Sequence, residues 1–322
     1  MKLRLNQKNI PLLATIAVFL LIYLAGSLLY SNFFSLRVFV NLFIDNAFVG
    51  VIAIGMTFVI ISGGIDLSVG SVVAFIGVLA AKMMHDYGVH PILAFSICLG
   101  LGAIFGMIMG SLIHFFELPP FLVTLVGMFL ARGLAFLVSL NAIPIKHPSV
   151  DAIIDFGIPL GFRAWLPATA MIFIAVTLVG IYLQHYTRFG RNTYAIGSNE
   201  QSAILMGLPV GRTKILVYTF NGLLSALAGV VYSLYTSSGY PLACVGLELD
   251  VIAAVVIGGT LLSGGSGYVA GTLIGVLILG LIQTFITFQG TLSSWWTKIV
   301  IGVLLFVFIL LQRYLSKAGA GK

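Results

Sequence analysis

Charge is what this chain has least of: 16 Lys and Arg and 9 Asp and Glu in 322 residues, or 8% of the whole. A soluble globular domain carries roughly a quarter of its residues charged, so a water-facing surface cannot be built from this supply. The net charge of +7 does not point to nucleic acid, because the basic residues fall in short stretches between apolar runs rather than along one solvated face. Cysteine is scarce too. Cys98, inside an apolar run, and Cys244, in a connection, have neither metal-site spacing nor a disulfide framework, and both read as structural. A GxxxxGK[ST] phosphate loop is absent, as are paired carboxylates and a nucleophile beside a base. His85, His90, His114, His147 and His185 are scattered near the ends of apolar runs. No enzyme activity, cofactor or metal is therefore expected on this chain, and any nucleotide dependence has to come from a partner.

What the chain has is hydrophobic length: 60% of its residues are apolar and its mean hydropathy is +1.15. A helix needs about 20 apolar residues to cross the hydrocarbon core of a bilayer. That criterion predicts an all-α, polytopic membrane protein in contact with lipid, with ten spans near residues 11–31, 44–62, 67–84, 91–114, 119–140, 165–185, 215–237, 248–263, 268–288 and 295–313. The third and eighth are short and bounded or broken by glycine. The apolar run after Lys2, Arg4 and Lys8 is too long for a signal peptide and lacks its cleavage site, so it reads as an uncleaved first span.

Ten of the 16 basic residues fall on one predicted face: Lys2, Arg4 and Lys8, then Arg188, Arg191, Arg212 and Lys214, then Arg313, Lys317 and Lys322. Asp86, Asp151, Asp155, Glu248 and Asp250 fall on the other. The positive-inside rule puts both termini, 1–10 and 315–322, in the cytoplasm, and Trp165, Trp295 and Trp296 then lie at outer boundaries. Two connections exceed a simple turn: an outer one over 141–163, whose helix breakers predict that it lies over the outer surface, and an inner one over 187–214 that joins two halves of a membrane domain spanning 11–314. The inner one holds a predicted short helix over 199–206, with Ser198 or Asn199 as N-cap and Gly207 past its end. A cytoplasmic helix of this kind suits docking.

Intramembrane polar groups are few. "SGGIDLSVGS" at 62–71 sets Asp66 between glycines and serines, where it can cap a new helix after a glycine break or line a polar cavity with Ser68. Asn46, Thr124, Asn221 and Gln283 complete the candidate path, while Arg132 must find a carboxylate, backbone carbonyls or water. So uncharged a lining suits a hydroxylated solute better than an ion. GxxxG spacing at Gly102, Gly106 and Gly110, and again at Gly271 and Gly275, predicts close helix packing. "IAIGMTFVIISGG" at 52–64 resembles "IAAVVIGGTLLSGG" at 252–265, a candidate internal repeat.

"SGGIDLSVGS", "YAIGSNEQSAILMG" and "GLELDVIAAVVIGGTLLSGG", in this order along the chain, closely resemble the permeases of ribose-type monosaccharide ABC importers. "FIDNAFVGVIAIGMTFVIISGG" and "GTLSSWWTKIVIGVLLFVFILLQR" are most similar to the permeases of galactofuranose importers, although "YPLACVGLELD" departs from the expected Ala- and Gly-rich wording. The resemblance implies a type II ABC importer-like fold, two permeases around one path with a heterodimer favoured, a cytoplasmic ABC ATPase that binds ATP and magnesium, and a periplasmic sugar-binding protein. It also implies a coupling loop through Arg191, Gly197, Asn199, Glu200, Ala203 and Gly207, in a permease of the bacterial inner membrane. The rival readings are an ion-coupled secondary transporter of a small polar solute and a structural or receptor-type membrane protein.

Overall fold

The computed structural model describes residues 10–161, 164–293 and 295–320. Lys2, Arg4, Lys8, Arg163 and Lys322 lie outside them. The described chain is a bundle of helices: α1 (Ile10–Leu29), α2 (Leu36–Asp45), α3 (Ala47–Ile61), α4 (Val69–His85), α5 (Pro91–Phe115), α6 (Pro120–Val138), α7 (Pro148–Asp155), α8 (Ala168–Tyr186), α9 (Arg188–Ser198), α10 (Glu200–Leu205), α11 (Val210–Thr236), α12 (Leu247–Ile257), α13 (Val269–Gln289) and α14 (Trp295–Ala320). Every predicted span has a helix at its place. Among the described residues, however, only α1, α5, α6, α8, α11 and α13 are long and apolar enough to cross alone, and the α2–α3 pair, bent by 60°, makes a seventh.

The differences have local causes. The second predicted span is bent at Asn46, whose side chain donates to the Leu42 carbonyl (2.9 Å) instead of leaving the helix straight. The eighth stops at Ile257 rather than at 263: Gly259 turns left-handed (φ +92°), and the Gly259 and Thr260 amides close back onto the Val256 and Val255 carbonyls. Its 11 residues rise about 16 Å, half of a hydrocarbon core of about 30 Å. The connection over 141–163 carries short elements of its own. It contains α7, a ladder of β1 (Ile143–Pro144) with β4 (Ser238–Gly239), and the start of a hairpin of β2 (Gly157–Gly161) with β3 (Ala164–Pro167).

The centre of the bundle is α3, buried along its whole length except at Phe48, with α8, α11, α12 and α13 around it. Small residues make this possible, since lipid supplies no hydrophobic drive between helices and only close contact rewards association. The predicted ladder on α5 lies along α11. A Cβ on Gly106 would sit 2.1 Å from the Tyr218 carbonyl oxygen, and one on Gly102 2.3 Å from the Ala226 side chain. Gly271 and Gly275 meet the Gly258 and Ala254 carbonyls of α12 in the same way. By contrast α1 is mostly exposed, held by the Thr15 hydroxyl on the Ile257 carbonyl and by packing of Tyr30 and Phe33 on Phe285 and Phe288.

Overpacking a fitted contact costs about 1–3 kcal/mol or more. Gly106→Leu is expected to lower the melting temperature and monodisperse yield of the purified protein in detergent. Gly100→Leu, one and a half turns away with nothing within 4 Å of its would-be Cβ, is expected to leave both unchanged.

Candidate functional site

Three features stand out in this apolar bundle. The first is the junction between α3 and α4. Gly63 (φ +86°) ends α3 in a Schellman turn, with Gly63 and Gly64 amides on the Ile60 and Val59 carbonyls, and the chain then runs unwound to Ser68. Asp66, 3% exposed, accepts from the Ser68 amide (2.8 Å) and the Ser68 hydroxyl (2.6 Å) through one oxygen, and from the Asn221 amide of α11 (2.8 Å) through the other. Three donors thus hold a buried carboxylate that has no cation paired with it among the described residues. Thr124 of α6 adds a hydroxyl on the Ile65 carbonyl (3.3 Å). The Tyr218 hydroxyl and the Asn221 Oδ1, both buried on the same face of α11, make no hydrogen bond among the described residues.

The second feature lies at the start of α3, a helix of 15 residues that rises about 22 Å, whereas the Asn221 that holds Asp66 packs beside Gly55 partway along it. At that start Asn46 and Gln283 border a cavity of about 310 Å³ with Asp250, Thr287, Thr297 and Lys298, and a smaller one of about 180 Å³ with Asn41 and Asp45. Asn46 fits only because position 280 is glycine: a Cβ there would be 2.3 Å from its Nδ2. Lys298 of α14 pairs with Asp250 of α12, and the Tyr235 hydroxyl donates to Asp45 (3.1 Å). The six candidate path residues therefore form two groups, Asp66, Ser68, Thr124 and Asn221 in one and Asn46 and Gln283 in the other. A larger hollow of about 590 Å³ between α1, α13 and α14 is walled by apolar side chains such as Ile22, Ile286 and Val303, with nothing to orient a polar solute.

The third feature is the α9–α10 segment. Sequence reasoning placed one helix here, and the structure has two. Asn199 caps α10, accepting from the Ser202 amide (2.8 Å), and Gly207 (φ +73°) follows its end. Ala203 packs with Ile196 and Val210 in a small core of its own, Glu200 pairs with Lys214 (2.7 Å), and Arg191 is exposed. Gly197 is wedged against both glycine breaks: a Cβ there would lie 1.7 Å from the Ile61 carbonyl oxygen and 2.6 Å from the Gly265 amide nitrogen. Those two groups bond to each other, Gly265 donating to Ile61 (2.8 Å). Tyr194 of α9 donates to the Gly267 carbonyl, and Phe189 stacks on Phe58 of α3 at 5.3 Å. On its outer side the segment leaves Ile204, Leu205 (88% exposed) and Met206 uncovered.

Two groups escaped the sequence reading or were left open by it. The Arg132 Nη1 donates to the Pro241 (2.6 Å) and Ala243 (2.8 Å) carbonyls, so it holds the connection leading into α12. The two "SGG" strings are not equivalent points of a repeat. By helix end, 62–64 corresponds to 258–260, and the second string falls in the following loop, where Gly264 packs on Gly63. His90 and His147 face each other at 5.6 Å, each accepting at a helix start, and no group of three metal-ligating side chains occurs among the described residues.

A bundle with broken helices, two polar groups within membrane reach and an exposed helical lever is the build of a membrane permease. Residues 38–309 match the family model described as the branched-chain amino acid transport system / permease component. The inner membrane ABC transporter permease protein YjfF of Escherichia coli K12 is 55% identical over 96% of this chain and 94% of its own length. The fructose import permease FruG of Bifidobacterium longum is 39% identical over 99% and 95%, and the ribose import permease RbsC of Escherichia coli K12 39% over 96% and 94%. The chain belongs to this family of permeases, in the ribose-type group to which its motifs pointed. No solved structure matches it.

The Asp66 bonds set a prediction. Asp66→Ala removes an acceptor for three buried donors and is expected to destabilise the protein by about 2–4 kcal/mol. Asp66→Asn retains one acceptor and can donate to the unpartnered Asn221 Oδ1 once that amide flips, so its loss should be less than half as large by thermal unfolding in detergent.

Proposed function

We propose that this chain is one permease subunit of an ATP-driven importer that moves a monosaccharide, galactofuranose or a related sugar, across the bacterial inner membrane. The observation that carries the ATP-driven reading is the seat of Gly197. A force on α10 passes through α9 directly to the carbonyl that ends α3 and to the loop that follows α12, with no flexible link between. The exposed Leu205 and Met206 supply the apolar tip that a cytoplasmic ABC ATPase, holding ATP and magnesium, would grip. An ion-coupled transporter would instead need an ionisable group free to titrate in the path. Here Asp66 is saturated by protein donors, and Asp250 is paired.

In this reading the α9–α10 face is cytoplasmic. A cytoplasmic N-terminus is supported by the first turns of α1, tied through Thr15 to Ile257 beside the glycine breaks, and a cytoplasmic C-terminus by α14, whose first turn carries Lys298 at the opposite end of the bundle. Both termini are then cytoplasmic, and the face bearing α7 and the β2–β3 hairpin receives a periplasmic sugar-binding protein. The similarity of the motifs to galactofuranose permeases supports a second, paralogous permease completing the path, and the names of the ribose and fructose relatives support a sugar as the cargo.

Co-purification of the intact complex, with uptake into proteoliposomes measured across sugars, tests the proposal. Leu205→Asp, at a site where nothing in this chain is disturbed, is expected to cut ATPase co-purification and uptake at least tenfold while the permease stays folded. Uptake that persists without the ATPase and follows a proton or sodium gradient would overturn it.

A further inference from the structure

Gln283 sits within α13, one of the helices long enough to cross the membrane, yet its side chain is exposed and makes no hydrogen bond among the described residues. An amide carries two donor hydrogens and an acceptor oxygen, and hydrocarbon can satisfy none of them. This face of α13 is therefore wet or occupied rather than turned to lipid. Around it four helices bring in the polar groups of the 310 Å³ cavity: Asn46 from the α2–α3 bend, Asp250 from α12, Thr287 from α13 itself, and Thr297 and Lys298 from α14. The volume is at the lower end of small-molecule sites, roughly 300–1,000 Å³.

The chemistry of the lining is specific. Asn46, Gln283 and Thr297 offer both donor and acceptor atoms, as a sugar hydroxyl does, and the Thr287 hydroxyl, which donates to the Gln283 carbonyl, offers an acceptor, while the two charges on the wall neutralise each other. A free ion would find no uncompensated charge there, and an apolar solute would strand the amides. We propose that this cavity is a subsite for one monosaccharide in its ring form, its hydroxyls taking the place of water on Asn46, Gln283 and the two threonines, with the Lys298–Asp250 pair forming its rim. The proposal rests on the sugar-import reading and adds a location to it: a halt at the Asn46 end of α3.

The test uses the intact complex in proteoliposomes, with D-ribose, D-fructose and D-galactose as probes. Gln283→Leu, an exposed position whose assembly is checked by co-purification, is expected to raise the KM for uptake of the transported sugar about tenfold, the effect of one lost well-made polar contact. Gln283→Cys is expected to react with an impermeant maleimide, and several-fold more slowly when the sugar-binding protein is loaded with that sugar than when it is empty. Leu249→Cys, exposed beside the cavity but off its wall, should show no such difference. Cys98 is buried, and burial holds the Cys244 thiol up at about 12, so neither competes for the label. A wild-type KM for Gln283→Leu with no protection of Gln283→Cys, in a complex that transports a sugar, overturns the subsite alone. A wild-type complex that transports none of the three overturns the reading beneath it.

Discussion

One backbone hydrogen bond, from the Gly265 amide to the Ile61 carbonyl, joins the ends of the two broken spans, and the organisation of that whole side of the molecule depends on it. Each helix stops inside an apolar run, and each stop would leave orphan carbonyls in a largely apolar setting. Schellman turns at Gly63 and Gly259 recover part of that deficit, and the cross-link between the two loops recovers more. Only after both loops are closed in this way is there a flat surface on which Gly197 can rest. The contact between the α9–α10 segment and the membrane bundle thus includes a close backbone-to-backbone approach at Gly197, beside the side-chain contacts of Tyr194 and Phe189.

The economy of polar groups follows the same constraint. Gln184 spans two needs with one side chain, donating to the Gly267 carbonyl (3.3 Å) and accepting from the Val269 amide (2.9 Å), so that the loop after α12 is fixed at its exit as well as at its middle. Arg132 does the equivalent for the chain entering α12 from the other side. A short helix of 11 residues is held at both ends by side chains from neighbours, and this support stands in for the length it lacks. Elsewhere threonine hydroxyls return to their own helices, as Thr177 does to Phe173, or pair across helices, as Thr57 and Thr272 do at 2.7 Å.

Hydropathy alone was enough to place a helix at each of the ten predicted spans, because about 20 apolar residues in a row can do little else in a bilayer. What it could not see was where a run is interrupted from within. Gly258 and Gly259 look like any other glycines of an apolar segment, and only their neighbours in α13 make a helix end there. The bend at Asn46 was invisible for a related reason: the Leu42 carbonyl that its side chain takes is on its own helix, while the space it fills was left by Gly280, far along the chain. Asn199 and Gly207 were legible because capping is a local matter. The division of the path residues into two groups was not, since linear position says nothing of which end of α3 a distant helix meets. The short strands at 143–144 and 238–239 carried no period to read.

The junction at Gly63, Gly197, Gly264 and Gly265 has a consequence at the level of the gene. Every amino acid that a single nucleotide change can put in place of glycine carries a Cβ. At Gly197 that atom has no room, and at the other three the left-handed backbone resists it. These four codons have no conservative neighbours, so the stretch that passes force into the membrane is also the stretch in which drift is least able to proceed by small steps.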